Sequence, residues 1–339
     1  MQNLLDPAIL FFVFGVCAGM LRSNLEVPAA IAKFLSLYLL MALGLKGGFA
    51  LAKSGLTVDV ALSLSAAIAM AFIVPAMGYA FLMNRISRYD AAAVAASYGS
   101  VSAVTFVTAM QYLENTGLNF GGHMAVAMVV MESPAIIMAV LLANALRHAS
   151  TASASVVVSG NGTAALGAGG PAGRTGPSIG KILHESFTDG AHLLLLGAMA
   201  VGYISGESGK GVMQPFSGDL FKGMLAFFLL DMGLLVARNF SEARKASPVL
   251  IAYAVVGPVV HAGLALALAW LLGLPVADAA LLMVLSASAS YIVVPAVLRY
   301  AIPEANPALY FGLSLGVTFP INILIGIPVY TAIAQHVLH

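Results

Sequence analysis

Two serine runs interrupt hydrophobic stretches of this sequence, Ser97-Tyr98-Gly99-Ser100-Val101-Ser102 and Ser286-Ala287-Ser288-Ala289-Ser290. The chemistry such runs can do is anion binding. A helix that unwinds at small residues exposes backbone N–H groups, and the half-helix that follows carries partial positive charge at its N-terminal end. Together they make an anion site without any arginine. Gly99, Ser100, Val101 and Ser102 form one candidate surface, and Ser288, Ala289 and Ser290 the other. Small side chains let a ligand reach the backbone, and hydroxyls donate to an anion. The plain alternative is that small residues only let helices pack closely. Two runs in matching register favour the site. Pro134 lies thirty-four residues after Ser100, and Pro320 thirty-four after Ser286. Interrupted helices at corresponding places in two halves are the sequence mark of a transporter's binding site.

The second element is Glu132, in Met131-Glu132-Ser133-Pro134. A carboxylate inside an apolar span is expensive and is by default functional. Its counterpart in the other half is Thr318, in Val317-Thr318-Phe319-Pro320. Each proline frees a carbonyl one turn earlier, so carboxylate, carbonyl and hydroxyl oxygens can gather around a hard cation, sodium being the natural one. The expected sodium ligands are Ser102, Thr105, Glu132, Thr318 and, one turn beyond Thr318, Asn322. The alternative is a buried protonated acid bonded to a neighbouring hydroxyl.

These groups need spans to carry them. The chain has 339 residues, 60% hydrophobic and 9% charged, against about 25% charged in soluble domains. Spans are expected at 5–21, 28–46, 58–83, 90–113, 122–146, 184–204, 219–238, 248–273, 277–300 and 307–336. They are apolar on every side, unlike barrel strands, and lipid tolerates only helices or closed barrels. Leu5 to Leu21 follows no basic region and reads as a first span rather than a signal peptide. The expected fold is all-α: ten transmembrane helices in a five-plus-five inverted repeat with two crossed, broken helices.

Residues 148–181 are mostly Ser, Thr, Ala, Gly and Pro, and are expected to be a flexible linker between repeats 1–147 and 182–339. An odd number of spans per half inverts the second half. Loops after odd spans carry ten basic residues (Arg22, Arg85, Arg88, Arg147, Arg174, Lys181, Arg238, Arg244, Lys245 and Arg299), whereas loops after even spans carry Lys46, Lys53 and Lys210. By the positive-inside rule the linker is cytoplasmic and both termini face outward, as expected of a bacterial inner-membrane protein.

Other polar residues carry less. Asp231 and His261 could relay protons, but helix–helix hydrogen bonding is the commoner role. Glu114 and Arg299 sit at span ends, where charges are solvated or snorkel. His123, His184 and His192 lack metal-site spacing, and Cys17 is the single cysteine, so no disulfide framework is expected. The serines have no His or Lys base at useful spacing, which argues against an enzyme. A net charge of +1 points to no nucleic-acid partner.

Over essentially all its spans the chain resembles the sodium-dependent bicarbonate transporter family known from cyanobacterial carbon-concentrating systems. The resemblance lies in Gly44-Leu45-Lys46-Gly47-Gly48, Gly99-Ser100-Val101-Ser102, Met131-Glu132-Ser133-Pro134, His184-Glu185-Ser186, and the run Leu298-Arg299-Tyr300-Ala301-Ile302-Pro303-Glu304-Ala305-Asn306-Pro307 before Thr318-Phe319-Pro320. It implies a five-plus-five inverted repeat, a homotrimer, bicarbonate at the crossed breaks, sodium as coupling ion with no cofactor, and inhibition by a PII-like cytoplasmic protein. Two departures stand out. Tyr291 replaces an aspartate in the second serine run, and Glu132 replaces an aspartate in a Met-Asp-x-Pro motif. The linker is also nearly uncharged and glycine-rich, which argues against the PII-like partner.

The expected function is therefore sodium-coupled import of a small monovalent anion, with bicarbonate favoured, by alternating access. The competing readings are a cation/proton exchanger and a sodium symporter of another small organic anion. Exchangers usually pair acids at such a crossing, and Glu132 has no acidic partner in the sequence near either break.

Overall fold

The computed structural model describes residues 6–55, 57–156, 190–243 and 246–338. Among these residues the structure is helical, without a strand. The first half holds α1 (Pro7–Met20), α2 (Ala29–Ser54), α3 (Val58–Leu82), α4 (Arg88–Gly99), α5 (Ala103–Asn115) and α6 (Met124–Val156). The second holds α7 (Gly190–Gln214), α8 (Leu220–Ala243), α9 (Pro248–Leu272), α10 (Val276–Ala287), α11 (Val293–Ala301) and α12 (Pro307–Val337). Among the described residues, seven helical stretches are long and apolar enough to cross a bilayer. Phe14, Phe72, Val256 and Val259 are exposed on the outside of the bundle, where a lipid environment suits them. The chain is a multi-pass membrane protein.

Helix starts follow sequence signals. Asp6, Thr57, Ser87, Ser102, Ser247 and Asn306 each cap the helix that follows, with the side chain accepting a backbone N–H. Most expected spans coincide with helices to within a few residues. Helix α6 runs on to Val156, past the expected linker start at 148, because residues 148–156 contain neither glycine nor proline to stop it. The rest of the expected linker, and His184, lie outside the described residues.

Two sets of helices surround the site. In the first, α1 packs along α8 and α2 along α7. Gly15 lies against the Leu230 carbonyl and Gly233, and Gly48 against the Met199 carbonyl and Gly202, so that any Cβ there would collide with the opposite backbone. This accounts for Gly44 and Gly48 in the Gly44–Gly48 motif. In the second set α3 packs on α4 and α6, and α9 on α10. Phe12 of α1 meets Phe319 of α12 edge-on, with ring centroids 5.6 Å apart, tying α12 to the first set. The stretch Arg88–Asn115 is the most enclosed, with 94% of its most apolar window buried, against 44% for Val58–Leu82. The helix with the first serine run is therefore at the centre. In α12, wide π-turns at Ser314–Thr318 and Asn322–Gly326 flank Pro320, which cannot donate to the helical ladder.

Candidate functional site

Both serine runs are breaks. Helix α4 ends at Gly99, and α5 begins at Ala103; α10 ends at Ala287, and α11 begins at Val293. Helices α4 and α10 are each 12 residues long. Their ends align Ser100 with Ser288 and Ser102 with Ser290, two residues from the pairing that the serine–proline spacing implies. Gly99 has a local reason: a Cβ there would strike the ring of Pro75 in α3.

The breaks touch. The Ser102 amide donates to Ser288 Oγ at 2.9 Å, and the Ser290 amide donates to the Ser97 carbonyl at 2.8 Å. Ser288 Oγ passes its own proton to the Leu285 carbonyl at 2.7 Å. Ser102 Oγ accepts from the Thr105 amide at 3.2 Å and from the Thr105 hydroxyl at 3.0 Å. Both acceptor positions of Ser102 are then filled, and its own proton goes to the Tyr291 hydroxyl beside it on the cavity wall. Ser290 Oγ accepts from the Val294 amide at 3.3 Å in the same manner. Ser102 is thus the N-cap of α5, and Ser290, two residues before the Ile292 N-cap of α11, satisfies an amide in its first turn.

Both serines line one cavity of about 510 Å³. Its polar lining contains Ser102, Glu132, Ser290 and Tyr291, with Lys33 and Ser36 of α2. Leu40, Val107, Met128 and Phe228 complete an apolar wall. Glu132 is 6% exposed, so a buried carboxylate shares the cavity with the N-terminal ends of α5 and α11. At the crossing, Ser97, Ser100 and Ser286 Oγ are buried with no hydrogen-bond partner among the described residues. Orphaned oxygens of this kind are donor types that sodium takes.

The remaining expected residues lie behind this wall. Ser100, Ser288, Ala289 and Thr105 are buried at the crossing itself. Thr318 Oγ1 donates to the Ala254 carbonyl at 2.8 Å and lies 2.7 Å from the Tyr98 hydroxyl, which is therefore the donor. Asn322 Nδ2 donates to the Ala287 carbonyl at 2.8 Å, and its oxygen is 3.4 Å from the Tyr330 hydroxyl. Thr318 and Asn322 thus brace the ends of the broken helices. Lys33 and Tyr98 are the polar residues that sequence reasoning missed. Lys33, a lone cation near the start of a span, was a visible signal. Tyr98 was in plain view inside the serine run.

The profile of the Na+-dependent bicarbonate transporter superfamily matches residues 7–335. The chain belongs to that superfamily. The match takes in both breaks, Glu132 and α12, nearly the whole chain. Membership of a transporter family implies a carrier rather than an enzyme. No curated protein matches the chain.

Proposed function

We propose that this protein carries a small monovalent anion, with bicarbonate favoured, into the cell together with sodium by alternating access. One observation carries the reading: two half-helices, their first amides held by Ser102 and Ser290, present their N-terminal ends to the cavity that Glu132 also lines, with the mutually hydrogen-bonded Ser102 and Tyr291 hydroxyls on the same wall. Partial positive charge at the two helix ends, with hydroxyls that can turn from each other to a ligand, suits an oxyanion. The buried carboxylate and the orphaned hydroxyl oxygens suit sodium.

The architecture supports a ten-span inverted repeat. Leu193–Phe240 runs for 48 residues, more than twice the ~20 a crossing needs, and breaks at Gly206, where φ is +55°. Counted as two spans, and joined by α1 and the broken α10–α11 pair, it brings the total to ten. Packing of α1 on α8 and of α2 on α7 is the pairing that an inverted repeat requires of its first two helices. Cytoplasmic placement of the linker rests on the ten basic residues of the odd loops. The reading includes a homotrimer, which sedimentation of the detergent-solubilised protein would test.

Energetics favour coupling. Moving one negative charge inward costs about 2.3 kcal/mol per 100 mV of inside-negative potential. One sodium cancels that, and a tenfold sodium gradient adds about 1.4 kcal/mol. A cation/proton exchanger fits less well, because Glu132 is the single carboxylate among the described residues lining the cavity. A symporter of another small organic anion is separated by competition. The test is radiolabelled bicarbonate uptake into proteoliposomes with and without an inward sodium gradient, beside nitrate and small carboxylates as competitors. Sodium-driven accumulation that unlabelled bicarbonate competes best supports the reading; equal uptake without sodium rejects it.

A further inference from the structure

The motif residue Lys46 takes no part in the cavity between the breaks. It lies thirteen residues after Lys33 on the same helix, about 20 Å along its axis. There it lines a second, polar cleft of about 890 Å³. This cleft gathers Lys46, Lys53, Lys210 and Lys222 against three carboxylates, Glu114, Glu207 and Asp219. One of those lysines, Lys210, is already spoken for by Glu207 at 3.4 Å. The cleft keeps a cationic excess, which raises the local concentration of anions.

Its floor is an ion pair. Lys46 Nζ lies 3.0 and 3.1 Å from the two carboxylate oxygens of Glu114, and 4.2 Å from the centre of the Phe221 ring. Glu114 stands in the last turn of α5, where helix carbonyls carry partial negative charge and disfavour a carboxylate. Both partners are part-exposed, so the pair is weak and open to exchange. Next to it, Asn115 donates to Asp6 at 2.9 Å and accepts from Lys222 at 3.1 Å. One end of α5 is thereby tied to α1, α2 and α8, while the other end, capped by Ser102, opens on the first cavity. A group that displaces Glu114 loosens the helix bearing the anion site.

We propose that this cleft is a loading site for an inorganic oxyanion, which takes Lys46 from Glu114 and so frees the end of α5 that the ion pair ties to α2. The inference rests on the transport reading and on charge-derived sidedness, which puts the cleft outside, at the end of α2 and α7 away from the linker.

Two measurements test it in a Cys17→Ser background. In proteoliposomes, Lys46→Gln should raise the KM for sodium-driven bicarbonate uptake about tenfold, while Glu114→Gln should lower it. Loss of the pair as a structural brace alone would instead reduce the maximal rate equally in both. Independently of transport, bicarbonate should slow the reaction of an impermeant thiol reagent with Asn119→Cys, a residue lining the cleft, and Lys46→Gln should abolish that protection. Unchanged KM in both variants, or no protection by bicarbonate, overturns the inference. Protection without any sodium-driven uptake in the parent would keep the cleft as an anion site and reject the transport reading instead.

Discussion

Ser102 and Ser288 join the two broken helices directly, the Ser102 amide donating to Ser288 Oγ at 2.9 Å in a buried crossing. The serine at one break therefore satisfies a backbone group of the other. Neither break is complete alone.

Ser288→Ala should cost stability before it costs chemistry. It leaves the Ser102 N–H buried and unsatisfied, a loss of about 1–3 kcal/mol. We expect a lowered melting temperature in detergent together with weakened anion binding. A variant as stable as the parent would show that the crossing does not depend on this contact.

Glu132→Gln keeps the shape of the side chain and removes its charge. Sodium affinity should fall at least tenfold, with the anion still bound at high sodium, as read from uptake against sodium concentration. An unaltered sodium curve would place the coupling ion elsewhere.

Two equivalent loops of an inverted repeat must face opposite ways. In a Cys17→Ser background, Asn24→Cys, after α1, should resist an impermeant thiol reagent in intact cells, and Ser208→Cys, past the Gly206 break, should react. Labelling of both would undo the inverted repeat.

Arg147 clamps Glu304 with Nε and Nη2 at 2.8 and 2.7 Å, and this pairing holds the Glu304 carboxyl below its usual range. A depressed carboxylate stabilises the fold above its unfolded pKa, and that contribution drains away as pH falls through the folded value. Glu304 is 37% exposed at its side chain, so solvent screening keeps the effect within ~1 kcal/mol. Glu304→Gln should melt slightly lower than the parent at neutral pH, and the gap should close in acid. A gap that persists at low pH would assign Glu304 a role other than this pair.

Much of this was legible because membrane physics is strict. Long apolar runs, capping residues and serine breaks each have few alternatives in lipid, so the all-helical class and both breaks could be read directly. The partners of polar side chains could not. Thr318 and Glu132 occupy matching places beside prolines, yet Thr318 bonds Tyr98 and Ala254 while Glu132 lines the cavity. Which way a side chain turns depends on the helix opposite, and one-dimensional spacing carries no trace of it. The same holds for Lys46 and Glu114, sixty-eight residues apart and paired only by packing.

The most direct test of the site is equilibrium binding of radiolabelled bicarbonate to the purified protein, titrated with and without sodium, beside Ser102→Ala. We predict that sodium tightens binding in the parent and that Ser102→Ala weakens it about tenfold, as loss of one hydrogen bond to a charged ligand requires. Binding of equal strength in the absence of sodium, or untouched by Ser102→Ala, would contradict an anion held between the two breaks with sodium beside it.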